Sequence, residues 1–325
     1  MSTETEYHSK DFEWEQLRQE IESDHSLRYH LLPFHGKIES LPTSCPSLPS
    51  SSPSQDSQAW TNFHTRHSTG RFFKERRYLM KEFPELASCN ECSKVLEVGC
   101  GNGSTILPIL RGKESIIVYA CDCSTEALER AKEMIDATNE LSVKHRFHPF
   151  HCDFSVNGFP QWLACNPCQE FFSQKRHVCI SDVDSSRTDL NDISSAKENN
   201  CCIGGVDFVT LIFTLSALPL HRMPTAIAAC LSVLKPGGLL LFRDYGLYDM
   251  TMLRFEKDKR VGFREYMRSD GTRSYFFSLE SVRDLFTGAG FTEVELEYCC
   301  VMSVNRWNGK SMRRVWVHGK FQKPM

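Results

Sequence analysis

From residue 94 onward, the apolar positions of the chain fall into short continuous runs separated by stretches of helical periodicity. Lys94–Val98 (KVLEV) is an apolar run stopped by Gly99, and residues 115–122 (SIIVYACD) are β-branched and apolar. Residues 146–152 form a weaker third strand, 206–213 (VDFVTLIF) a strong fourth and 239–243 (LLLFR) a fifth. Between these runs, Ser104 can cap a helix through about Leu110. Ser124 can cap another through Thr138, with Ala127, Leu128, Ala131 and Ile135 on one face. Further helices are expected around 224–234 and 281–289, and residues 291–299 and 314–322 read as two alternating strands. Continuous apolar strands separated by helices require a mostly parallel sheet covered on both faces. The last two strands have no helix between them and are expected to pair antiparallel at one edge. The pattern predicts an α/β protein with a doubly wound, mostly parallel seven-stranded sheet and an N-terminal helical extension.

Upstream of residue 60 the pattern thins. Phe12, Leu17 and Ile21 lie near helical spacing and suggest a short amphipathic helix, while residues 41–58 hold seven Ser and four Pro among 18 positions. Such a stretch buries too little apolar surface to offset its ordering entropy. Residues 1–59 are therefore expected to be a largely disordered acidic N-terminus and linker, 60–93 a helical segment, and 94–325 the main domain. Residues 159–204, rich in Cys, Ser and Asp, are expected to form a solvent-exposed insertion, and no internal repeat of useful length is present.

The 325 residues are 41% apolar and 24% charged, which excludes a fibrous or wholly disordered protein. No apolar run approaches the roughly 18 residues of a membrane span. Residues 1–25 hold eight acids against Lys10 and Arg18, the wrong sign for a mitochondrial transit peptide, and lack the apolar core of a secretory signal. A cytoplasmic location is expected, with the nucleus as a second compartment. The charge is split: residues 1–59 carry 4 bases and 10 acids, residues 60–325 carry 34 and 31.

The 15 cysteines, an odd number, point to reduced thiols. Cys100, Cys121, Cys123, Cys152, Cys179 and Cys230 sit in or beside apolar stretches, as small core residues do. Two C-x-x-C pairs occur, Cys89/Cys92 and Cys165/Cys168. Cys201 and Cys202 can in principle join the second pair, but adjacent cysteines are poor zinc-ligand spacing and no metal is expected.

Ligands of doubly wound sheets sit beyond the carboxyl ends of the strands. The first strand runs into Glu97-Val98-Gly99-Cys100-Gly101-Asn102-Gly103, where glycines let the chain turn and a ligand approach the backbone. The second ends in Asp122, placed to accept hydrogen bonds from both ribose hydroxyls, and the third in Asp153, placed to meet an adenine amine. A structural glycine turn is the alternative for the loop alone; the three tips together specify an adenosine site. A dinucleotide asks for G-x-G-x-x-G and a helix N-terminus facing pyrophosphate. Here the spacing is G-x-G-x-G, and Glu97 would repel pyrophosphate while suiting a cationic sulfonium and its α-amine. With the turn Leu234-Lys235-Pro236-Gly237-Gly238, this resembles the S-adenosylmethionine-dependent class I methyltransferases.

Two further segments address the acceptor. In residues 60–86, Arg71, Lys74, Arg76, Arg77 and Lys81 interleave with Phe72, Phe73 and Tyr78, a composition suited to phosphates and splayed bases. A docked amphipathic helix with a solvated basic face accounts for it equally well. Residues 242–249 (FRDYGLYD) follow the fifth strand, and downstream Arg254, Lys257, Lys259, Arg260, Arg264, Arg268 and Arg273 mix with aromatics and acids, so a solvated charged loop is the competing reading.

The segments RFFKERRYL, EVGCGNG, YACDCS, LIFTLSA, LKPGG, FRDYGLYD and DGTRSYFFS look like the eukaryotic methyltransferase-like family that forms 3-methylcytidine in the anticodon loop of tRNA, over about residues 59–158 and 204–323. The resemblance implies S-adenosylmethionine as cofactor and tRNA as substrate. It implies cofactor contacts at Trp60, Gly99, Asp122, Asp153, Phe154 and Ile212, with His64 replacing a family tyrosine. Glu97 and Gly101 join this set from the loop itself, and Arg71, Phe72, Phe73, Lys74, Arg76 and Arg77 are the candidate RNA contacts. Asp244 is the candidate for stabilising a cationic methylated base, with Arg243 and Tyr245 shaping the pocket; an Arg243–Asp244 ion pair closing the strand is the alternative. Some family members act only with a helper protein, and the weakly basic core fits such a need. The chain is expected to act as a monomer away from membranes. A small-molecule or protein methyltransferase of the same fold, or a silent RNA-binding subunit, are the competing functions.

Overall fold

The computed structural model describes residues 10–34, 55–67, 75–138, 140–165, 201–304, 309 and 311–325. Five parallel strands form one part of the main sheet: β1 (Lys94–Val98), β2 (Ile117–Asp122), β3 (Phe147–His151), β4 (Val206–Ile212) and β5 (Leu234–Tyr245). Three short strands, β6 (Arg260–Gly262), β7 (Glu265–Met267) and β8 (Arg273–Tyr275), make a separate small sheet. β9 (Thr292–Val304) and β10 (Ser311–Gln322) complete the main sheet antiparallel, giving the order β3-β2-β1-β4-β5-β10-β9. The order reverses between β1 and β4, which opens a crevice at their carboxyl ends.

Local chemistry builds the elements as the pattern predicted. Ser124 Oγ accepts from Ala127 N at 3.2 Å at the start of the helix Thr125–Asp136, whose Ala127, Leu128, Ala131 and Ile135 are buried. Ser278 and Ser281 form a capping box on the helix Leu279–Gly288. Two apolar cores lie on the two faces of the sheet, one around Phe242, Phe286 and Phe321 and the other around Val95, Ile109 and Val118. Cys100, Cys121, Cys152 and Cys230 are buried, as expected of small core residues, while Cys123 is half-buried and Cys179 lies outside the described residues.

Two expectations and one competing reading are corrected. The fifth strand continues through Tyr245, so Arg243 and Asp244 lie inside the sheet rather than beyond its edge. The charged stretch after residue 254 is no solvated loop: it folds into β6–β8 around the buried Tyr266, Tyr275, Phe276 and Phe277. The N-terminal acidic segment is ordered over residues 10–34. Its helix Trp14–Ser23 buries Leu17 and Ile21, and Trp14 stacks on Tyr298 at 4.6 Å while donating to Leu247 O at 3.1 Å. Tyr29 Oη donates to Phe255 O, and Arg260 donates to Tyr29 O at 2.6 Å. The segment thus buttresses the small sheet and the FRDYGLYD stretch; its few aromatics do the packing while its acids face water. A second helix, Gln55–Arg66, begins within the segment assigned to the linker.

Candidate active site

A cavity of about 610 Å³ opens at the carboxyl ends of β1–β5, within the size range of small-ligand sites. Its first wall is backbone. Gly99 has φ +66°, and a Cβ there would sit 2.4 Å from Thr214 Cγ2, so the β1 loop packs directly on the β4 loop. Gly101, at φ +54°, would place a Cβ 3.6 Å from His64 Cε1, in van der Waals contact with the ring that faces it. Asp122 at the tip of β2 accepts from Gly101 N at 2.8 Å and from Ser124 N at 2.9 Å. Each carboxylate oxygen keeps a further acceptor position. Asp153 accepts from Ser57 and, at 2.7 Å, from Ser155, which ties the helix Gln55–Arg66 across the third strand tip. Trp60 and His64 on that helix complete the wall, and burial pushes the His64 imidazole below its ordinary range.

The second wall is aromatic and cationic. Phe213, just after β4, has φ +56°, a left-handed conformation that a bulky side chain rarely adopts. Strain of this kind concentrates at functional sites. Its ring lies 5.1 Å from Tyr245 and 6.2 Å from Trp316. The Arg76 guanidinium sits 5.0 Å over Phe213, and that of Arg314 lies 5.2 Å over Trp316. Arg222, Arg268 and Arg273 also line the cavity, and Asp56 accepts from Arg273 at 2.8 Å and pairs with Arg222 at 3.7 Å.

Four buried polar atoms of lining residues have no hydrogen-bond partner among the described residues: Trp60 Nε1, Asn102 Oδ1, Ser274 Oγ and Trp316 Nε1. Buried polar groups are normally satisfied, so this concentration fits a cavity whose partners arrive with ligands. The donor and acceptor set suits an adenosine cofactor: a strand-tip carboxylate for ribose, an open glycine backbone and an indole N–H.

Of the nominated residues, Trp60, His64, Gly99, Gly101, Asp122, Asp153, Phe154, Ile212, Arg76 and Tyr245 line the cavity. Four others stand outside it. Glu97 is buried behind the glycine loop, accepting from Thr105 Oγ1 at 2.5 Å and from Thr210, and burial pushes its carboxyl up to about 7. It ties β1 to Thr105 and to Thr210 of β4 and does not line the cavity. Arg243 pairs with Glu82, not with Asp244, and lies 4.3 Å over the Trp316 ring and 4.8 Å over Tyr78. His318 Nδ1 meets the same Glu82 oxygen at 3.0 Å. This network supports Trp316 from behind. Asp244, fully buried on the opposite face of β5, accepts from Ser216 N at 2.9 Å and Tyr245 N at 2.8 Å. Burial pushes its carboxyl up to about 6, and it does not line the cavity. Arg77 is exposed and paired with Glu75 at 2.9 Å, so adjacent bases are split: Arg76 faces the cavity, Arg77 the solvent. Arg71, Phe72, Phe73 and Lys74 lie outside the described residues.

The residues that pattern reading missed are Phe213, Trp316, Arg222, Arg314 and Asp56. Trp316 reaches the cavity through its pairing with Tyr245 in the antiparallel β10–β5 register, opposite the fifth strand tip.

A family model described as a methyltransferase domain matches residues 72–296. The chain is 36% identical over 269 residues to the tRNA N(3)-cytidine methyltransferase METTL6 of Rattus norvegicus, covering 82% of this chain and 78% of that protein. It is 34% identical over 275 residues to the tRNA N(3)-methylcytidine methyltransferase Mettl2 of Drosophila melanogaster, covering 82% and 71%. The solved SAM-dependent methyltransferase of Anabaena variabilis shares the fold, with a TM-score of 0.53, 12% identity and coverage of 82% and 94%. The cavity grips at β1–β3, the strand order and these likenesses converge: the chain belongs to the S-adenosylmethionine-dependent tRNA N(3)-cytidine methyltransferase family, built on the class I methyltransferase fold.

Proposed function

We propose that this chain methylates N3 of an unpaired cytidine in the anticodon loop of tRNA. The observation that carries the reading is the continuity of one cavity, with Asp122 at one end and the Phe213–Tyr245–Trp316 cluster at the other. Trp60, Gly99, Gly101, Asp122 and Asp153 would hold S-adenosylmethionine, which supplies an electrophilic sulfonium methyl. Phe213, Tyr245 and Trp316 offer faces on which an extruded pyrimidine can stack, and the arginine rim suits flanking phosphates. Ring nitrogen 3 of neutral cytosine has its own lone pair, so these residues need not remove a proton. Their contribution is alignment, worth much of the barrier when the reacting atoms are held in line. Asp244 acts one layer back, fixing the Ser216 loop and Tyr245 N through its two hydrogen bonds. Arg243 and Glu82 steady Trp316 in the same way.

A helper protein that raises activity or selects the tRNA belongs to this reading, supported by the near balance of 34 bases and 31 acids in residues 60–325. Among the described residues no helix is long and apolar enough to cross a membrane. The test is transfer of labelled methyl from cofactor to total tRNA, with and without cell extract, followed by nucleoside analysis. Label in 3-methylcytidine supports the reading. Label confined to a protein or small-molecule acceptor, in both conditions, overturns it.

A further inference from the structure

The 159–204 insertion leaves the core at Leu163, which is fully buried, and returns just before β4. Ile203 N donates to Trp162 O at 2.8 Å and Gly205 N donates to Leu163 O at 2.8 Å, so the outgoing and returning stems lie side by side. At the end of these stems three thiols converge. Sγ atoms of Cys165, Cys201 and Cys202 all lie within 4.8 Å of one another, and Cys165 and Cys201 approach to 3.4 Å. Four thiolates around a tetrahedral zinc at about 2.3 Å stand about 3.8 Å apart, a spacing within the 4.8 Å limit on these three.

Consecutive cysteines are poor ligands in an extended strand, where successive side chains point to opposite faces. Here both occupy a bend, and Gly204 and Gly205, at φ +75° and +81°, turn the chain immediately afterwards. Gly204 N donates to Cys202 Sγ at 3.4 Å, a hydrogen bond of the kind that steadies metal-bound sulfur. The Lys94 ammonium donates to Ile203 O at 2.5 Å, leaving a cation beside the bend that favours thiolates. None of the three cysteines lines the methyl-transfer cavity.

We propose that Cys165, Cys201 and Cys202 bind one zinc ion as thiolates and so staple the two stems of the insertion. The fourth tetrahedral position is open to water or another side chain. Cys168, the C-x-x-C partner of Cys165, lies outside the described residues. Binding displaces the three thiol protons to solvent, so occupancy rises with pH.

The test uses the full chain purified without chelator and desalted, with metal content read by mass spectrometry. About one zinc per chain is expected, falling about tenfold or more in the Cys201→Ser/Cys202→Ser variant while S-adenosylmethionine affinity stays within about twofold. In case the variant folds poorly, chelator-stripped wild-type protein is titrated with Co(II), and a thiolate-to-cobalt charge-transfer band saturating at about one equivalent is expected. Wild-type protein without zinc and without that band overturns the proposal. So does zinc retained by the folded variant, or an intact non-reduced mass short by two hydrogens, which would make the close pair a disulfide.

Discussion

The two walls of the cavity are built in different ways. The cofactor wall is made of loops that follow β1, β2 and β3 directly, and its key groups are a glycine backbone and the two strand-tip carboxylates Asp122 and Asp153. The acceptor wall collects Arg76, Phe213, Tyr245, Arg273 and Trp316 from five separate parts of the chain. In the proposed reading the first would hold the cofactor and the second would receive the acceptor. The difference teaches that the general half of the site is encoded locally, and the specific half through tertiary register.

The sharpest way to separate the walls is Asp122→Ala. It removes a charged acceptor for two ribose hydroxyls, and calorimetry should show cofactor affinity reduced about 100-fold or more. Arg76→Ala should leave cofactor affinity intact, weaken tRNA binding about tenfold and lower the salt slope by about 0.7. Arg77→Ala should change neither by more than about twofold, since that side chain is 80% exposed and already paired. An equal effect at both positions would erase the distinction between cavity and surface bases.

Asp244→Asn tests the layer behind the acceptor wall. The amide can satisfy only one of the two backbone N–H groups, so thermal or urea unfolding should show a loss of about 1–3 kcal/mol. Turnover should fall no further than the folded fraction and loop order allow. Loss of chemistry by about 1,000-fold or more in a fully stable variant would return Asp244 to a direct catalytic role.

The smallest effect concerns Glu97 behind the cofactor wall. Burial raises its carboxyl from 4.5 to about 7 in the folded protein. An acid with a raised folded pKa binds its proton more tightly when folded, so its stabilising contribution is full below about pH 4.5 and is lost as pH rises through about 7. Glu97→Gln should therefore gain on the wild type in unfolding experiments between about pH 5 and pH 8. A pH-independent difference would contradict the buried protonation.

Legibility followed the same division. Ser124 and the four buried positions of its helix were readable because caps and 3.6-residue periodicity are local, as were Gly101 and Asp122. The placement of Asp244 behind the cavity was not legible, because β5 runs to Tyr245 and within a strand adjacent side chains face opposite sides. Trp316 escaped because its place depends on pairing with Tyr245 across 71 residues of chain. The N-terminal helix was visible as a weak pattern, but its anchoring rests on Trp14 meeting Tyr248 and Tyr298, a contact that no local rule supplies.

The most direct measurement is a structure of the protein with S-adenosylhomocysteine and a tRNA anticodon stem-loop. The account predicts ribose hydroxyls on Asp122 and a cytosine, turned out of its loop, packed against Phe213, Tyr245 and Trp316 with N3 facing the sulfur. A nucleobase bound elsewhere, with those three rings touching only protein, would contradict it.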